Sequence, residues 1–161
     1  MTKDSVLRIH LPGALLIASL IIALVFFFAL PPGRVGRTLF FPGTTAVELS
    51  AERRLVPRVR DDERSIELLV EEMLLGPTRI THSRIFPRET KLASLMLRGE
   101  TVYLDLSESA MLQGSEVHVS TDIALEALRT SIRYNFRGIR EVVITIAGNV
   151  PFEPAYRPVG R

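Results

Sequence analysis

Three histidines, His10, His82 and His118, are the only imidazoles in the chain, and no two of them share one helix face at ligand spacing. The sequence has no cysteine, which excludes a thiolate zinc site, a cysteine nucleophile, a disulfide framework and a lipidated cysteine. No Gly-x-Ser-x-Gly elbow, phosphate loop or His-Glu-x-x-His motif is present. Six carboxylates cluster at Asp61, Asp62, Glu63, Glu67, Glu71 and Glu72. Those on the helix lie opposite its apolar stripe, and facing water accounts for them. Asp105 and Ser107 end a predicted strand, where acid–base or nucleophilic work would need a partner base. A carboxylate in that position more often caps a turn. The sequence is therefore read as a non-enzyme that takes no cofactor and no metal.

Arginine dominates the cations: 18 of them stand against only Lys3 and Lys91. Biased genomic composition explains much of that excess. The run Arg53, Arg54, Arg58, Arg60 and Arg64 is denser than elsewhere and is the candidate interaction surface, because guanidinium groups bind carboxylates and phosphates in bidentate fashion. An acidic protein, an anionic lipid or a wall polymer would fit it, unless Asp61 to Glu63 neutralise it internally. The net charge of +2 gives no indication of nucleic-acid binding.

The elements that must carry these groups follow from hydropathy. From Leu11 to Leu30, 17 of 20 residues are hydrophobic and none is charged, whereas 54 of 128 are hydrophobic from Arg34 to Arg161. Twenty residues at 1.5 Å rise span about 30 Å, the thickness of a bilayer core. The chain thus divides into a short tail (1–10), a transmembrane anchor (11–30), a Pro-Gly linker (31–36), one domain (37–150) and an extended Pro-rich tail (151–161). The alternative of a cleaved signal peptide fits less well, since the apolar run is long and Ala29-Leu30-Pro31-Pro32 offers no small-x-small site. Lys3 and Arg8 before the span balance Arg34 and Arg37 after it, so flanking charge does not orient it.

Within the domain, Thr38 to Phe41 predicts a strand stopped by Pro42-Gly43, and a second strand falls within Arg54 to Arg60, demoted to an edge by Pro57. Ile66, Leu69, Val70, Met73 and Leu74 recur at helical spacing and predict a helix from about Asp62 to Leu75, ended by Gly76-Pro77. Thr78 to Arg88 reads as a loop. Lys91–Leu97 and Thr101–Leu106 predict a hairpin around Gly99, with Ser107 capping a short turn. A second amphipathic helix runs from Glu116 to about Asn135, and Glu141 to Ala147 is read as a last, central strand. The sum is an α+β fold, a mixed sheet with two main helices packed on one face.

Leu39-Phe40-Phe41-Pro42, Leu55-Val56-Pro57-Arg58, Leu74-Leu75-Gly76-Pro77-Thr78, Phe86-Pro87-Arg88-Glu89-Thr90-Lys91-Leu92, Val102 to Ser107 and Val142 to Gly148, in that order and spacing, resemble the GerMN domain of bacterial envelope proteins. The resemblance covers about 110 residues, from Leu39 to Gly148. Two departures stand out: Gly43 to Arg53 is longer and more polar than a minimal copy, and one copy is present where some members resemble tandem repeats. What the resemblance implies is a domain similar to the ring-building modules of envelope assemblies, of the sporulation and germination type, held outside the cytoplasm at the inner membrane. Its implied partners are an envelope protein or a second copy of itself. A module binding peptidoglycan or an anionic wall polymer, through the arginine run or Phe40, Phe41 and Phe86, is the alternative.

Overall fold

A computed structural model describes residues 3–29, 33–44, 48–112, 117 and 119–151. The elements are helix α1 (Lys3–Ala29), strands β1 (Arg34–Pro42) and β2 (Leu49–Pro57), helix α2 (Asp62–Leu74), strands β3 (Leu92–Arg98) and β4 (Thr101–Leu106), a 3-10 turn (Glu108–Met111), helix α3 (Thr121–Asn135) and strand β5 (Glu141–Ile146). The chain forms two compact units, Met1–Gly33 and Arg34–Arg161.

In the first unit, α1 carries the apolar run, and its described side chains, from Gly13 to Phe27, are exposed. Among the described residues no helix is long and apolar enough to cross a membrane.

The second unit is α+β, as its patterning predicts, but it holds two sheets where one was expected. β1 and β2 form an antiparallel pair, in register from Arg34 opposite Pro57 to Pro42 opposite Leu49. β3, β4 and β5 form the other sheet in that order, β3 antiparallel and β5 parallel to β4. β5 is therefore an edge and β4 the central strand. The β-branched run of β5 misleads because Val142, Ile144 and Ile146 alone turn inward, while Val143 and Thr145 are only half covered. The second strand lies earlier than expected, and Pro57 sits on its last residue, where a missing N–H costs least. Arg34 to Gly36, read as linker, are the opening residues of β1.

The two helices fill the space between these layers. α2 packs against β3 and β2, α3 against β1 and β5, and the helices touch each other. α2 starts as predicted: Asp61 is its N-cap and its carboxylate accepts from the Arg64 amide at 3.0 Å. Its predicted stripe is buried, and Gly76 takes the left-handed φ of 87° that ends it. α3 begins at Thr121, so Val119 precedes it, and Glu116 and His118 lie outside the described residues. The core joins Leu39 and Phe41 of β1 to Ile66, Leu69 and Met73 of α2, Leu104 and Leu106 of β4, and Leu128 and Ile132 of α3.

β1 meets α3 without a third strand. The Thr38 amide donates to Asn135 Oδ1 at 3.0 Å, Asn135 Nδ2 donates to the Thr38 carbonyl at 2.6 Å, and the Phe40 amide donates to Ser131 Oγ at 2.9 Å. Ser131 and Asn135, one helical turn apart, thus present to the strand the donor–acceptor sequence that a neighbouring strand would offer. On the other sheet, Glu63 does the same for one amide, accepting from Leu97 at 2.8 Å.

Candidate functional site

Arg54, the centre of the predicted arginine surface, points inward. Its side chain is 11% exposed and bridges β2 to the end of α2, pairing with Glu52 at 2.7 Å and Glu72 at 3.3 Å and donating to the Gly76 carbonyl at 2.6 Å. Glu52 is 3% exposed and accepts from the Thr78 hydroxyl at 2.7 Å, from the Thr78 amide at 3.2 Å and from the Arg79 amide at 3.3 Å. Burial alone would raise the Glu52 pKa. The Thr78 hydroxyl, the Arg54 guanidinium and the Thr78 amide outweigh it and hold the carboxyl at about 2.

The remaining four predicted cations are exposed. Arg64 binds Glu67 at 2.5 Å and approaches Glu71 at 3.8 Å on its own helix. Arg53 is exposed and lies over Gly36, where an added Cβ would meet its Nε at 2.7 Å, so glycine gives the guanidinium its place. Arg58 and Arg60 are exposed. Arg54 thus leaves the predicted surface, and Arg54 and Arg64 are occupied by acidic neighbours, as the presence of nearby carboxylates allowed.

The carboxylates singled out for chemistry are likewise committed. Asp105 accepts from the Thr145 hydroxyl at 2.6 Å and the Gly148 amide at 2.9 Å, bracing a turn in which Ala147 and Gly148 both have positive φ. Ser107 accepts from the Lys91 amide at 3.0 Å and makes no side-chain cap to the 3-10 turn, contrary to expectation. Glu63 and Glu72, expected only to face water, tie α2 to β3 and β2. His118 lies outside the described residues. Among the described residues no group of three metal-ligating side chains occurs.

What the sequence left as a loop is the more organised surface. A hollow of about 390 Å³ is lined by Thr78, Arg79, Ile80, His82, Arg84 and Arg88. A second, of about 280 Å³, shares Arg88 and runs along Leu74, Leu75, Thr90 and Lys91, with Glu71 in its wall. Arg84 is fixed by the helix end, donating to the Leu74 carbonyl at 2.8 Å and the Leu75 carbonyl at 2.6 Å, where a cation suits the helix dipole. The loop is held from below by Glu52 and tied to β1 by the Ser83 amide, which donates to the Pro42 carbonyl at 2.7 Å. Arginines at positions 79, 84 and 88 were a visible signal. It was missed because no helical or strand period aligns them.

The profile of the family described as Germane, sporulation and spore germination, matches residues 38–150. The chain belongs to the Germane family. The match runs from β1 through the turn after β5, the span over which GerMN resemblance was read. Among solved structures, this Germane chain is similar to a protein of Clostridium perfringens described as a lipoprotein, at 22% identity over 73% of this chain and 77% of that one, with a TM-score of 0.47. It is also similar to two structures of the sporulation protein GerM from Bacillus subtilis. The first GerMN domain matches at 18% identity over 78% of this chain and 90% of the other, with a TM-score of 0.46. The tandem GerMN domains match at 18% identity over 79% and 43%, with a TM-score of 0.49. No curated protein matches the chain.

Proposed function

We propose that this chain is a single-pass protein of the bacterial inner membrane, anchored by residues 11–30, whose Germane domain lies outside the cytoplasm and works by binding another envelope protein or a second copy of itself. The observation that carries the binding reading is the set of large apolar side chains left on the surface of a domain whose core is already full. Ile80 is 95% exposed, Leu75 67% and Leu55 65%. Such residues have water contact to lose on association. The anchor reading rests on the uncharged apolar run from Leu11 to Leu30. The outward orientation and the envelope role rest on what is usual for the family. The non-catalytic reading is supported by Asp105 and Ser107, whose side chains are spent on turn and strand contacts.

The wall-polymer alternative would have to work without Phe41 and Phe86. Phe41 is wholly buried and Phe86 1% exposed, and Phe40 packs edge-to-face on Tyr134 with centroids 5.2 Å apart. A photo-crosslinker placed in turn at Leu55, Ile80 and Tyr103 of the full chain in cells tests the binding reading. At least one position should give a discrete protein adduct; silence at all three would overturn the proposal.

A further inference from the structure

We infer that the outer face of the β3–β4–β5 sheet is where a second copy of this chain docks, face to face, about a two-fold axis that runs along β4. This rests on the binding reading above and names the partner and the surface. The inner face of that sheet is buried under the helices, where Val102, Leu104 and Ile144 join the core. On the outer face Met96 and Tyr103 keep 44% and 42% of their surface exposed, and Val143 is half-buried. These three side chains form one row across the strands, since Met96 pairs with Tyr103 and Tyr103 with Val143, and they border a shallow hollow of about 220 Å³. The next row holds Arg98, Thr101 and Glu141. Arg98 gives its Nε to Met96 Sδ at 3.2 Å, and Glu141 accepts from the Thr101 hydroxyl at 3.5 Å, so neither is held by an opposite charge. The neighbouring Arg140 and Glu100 pair with each other at 2.9 Å.

The pattern across β4 is what selects a second copy. Turning one sheet about β4 lays its β5 over the other's β3, so Arg98 of each copy faces Glu141 of the other, Met96 faces Val143 in the same reciprocal way, and Tyr103 meets its own mate on the axis. An axis across the strands would instead set Arg98 opposite Ser94 and Glu141 opposite Thr145, leaving both charges unanswered. Asp105 also lies on the axis, where like charges would oppose. Its carboxylate is drawn toward β5 by the Thr145 hydroxyl at 2.6 Å and beyond it by the Gly148 amide at 2.9 Å. The two copies of β5 lie on opposite sides of the axis, so these carboxylates turn apart. Three strands of this length present roughly 15 by 20 Å, or about 300 Å² in plan. A standard stable interface uses about 800 Å² per partner, so this pairing is reversible. The apolar row supplies its contact and the charges set its register.

The chain has no cysteine, so one placed at Thr101, on the axis, reports the contact without background. The test treats cells making the full chain with Thr101→Cys, under two different tags, with a bismaleimide whose arm matches the roughly 10 Å between packed sheets. A crosslinked dimer carrying both tags is expected. Adding Arg98→Glu or Glu141→Arg to every chain should lower its yield at least fivefold, since each change sets like charges face to face. One chain with Arg98→Glu and one with Glu141→Arg, made together, should recover the dimer, as should a chain carrying both changes. Where a reversed chain fails to accumulate, Arg98→Gln and Glu141→Gln should each lower the yield about twofold. No dimer from the Thr101→Cys chain overturns the inference, and so does a yield indifferent to the reversals or not recovered by mixing them. Discrete adducts from the photo-crosslinker at Leu55 or Ile80, without a Thr101→Cys dimer, would sink this docking face and leave the binding reading standing.

Discussion

Glu52 shows how one residue can be costly alone and stabilising in company. Its carboxylate is shut away from water, and the groups that repay this come from two places in sequence: Arg54 beside it, and Thr78 and Arg79 beyond α2. The folded pKa of about 2 lies below the ordinary carboxylate value of 4.5, so the unfolded chain binds the proton more tightly. Stability from this group is fully present above about pH 4.5 and is lost as pH falls toward about 2. The shift corresponds to roughly 3 kcal/mol. Glu52→Gln should cost about that much at neutral pH, read from the urea midpoint, and should flatten the acid limb that the wild-type protein shows. An unchanged acid limb would mean that other carboxylates carry it. Sequence alone presented Arg54 as a surface cation, because alternation along a strand gives a side chain's face but not whether a carboxylate waits there. The partner, Glu52, sits only two residues away, and Thr78 is separated from it by 26.

At the scale of elements, α2 and the β3–β4 hairpin were legible because each has its own period and its own stop signal. The apolar stripe with Gly76-Pro77 fixed one, and Val102, Leu104 and Leu106 around Gly99 fixed the other. Sheet membership was not legible. Pairing partners are chosen by contacts between distant segments, and nothing local told β1 to stop at α3 instead of joining β5. Ser131 and Asn135 are ordinary polar residues on a helix until the strand is seen to need them. Asn135→Ala should leave the Thr38 amide and carbonyl unmatched and cost about 1–3 kcal/mol. Combining it with Ser131→Ala should be less than additive, since both clamp one edge. Hydrogen exchange at the Thr38 and Phe40 amides reads the effect directly, and protection that survives the double change would show that β1 is held by β2 alone.

For the whole molecule, the sequence separated an apolar segment from a normally polar domain across a linker at 31–36, whereas the two compact units divide at Gly33–Arg34, inside that linker. One member of the arginine run, Arg54, turns inward, while cations spread from Arg79 to Lys91 border two hollows, because a loop folded over the end of a helix gathers residues that no periodicity lists together. A carboxyl-terminal fusion measures the orientation proposed for the chain. Alkaline phosphatase joined after Arg161 should be active, and a fusion active only with a cytoplasmic reporter would place the domain on the other side of the membrane.

The clamp between β1 and α3 also sets an order in time. Its hydrogen bonds join residues 97 and 91 positions apart, so the first strand of the domain has nothing to lock its outer edge until the last helix has been made. Loop closure over such a distance is slow, and contacts of this separation form late. During synthesis the edge at Thr38 and Phe40 stands open for most of the time the ribosome spends on the domain. A newly made chain therefore depends on being kept from neighbouring strands until α3 arrives, and the step that completes the fold is the arrival of its own carboxyl-terminal third.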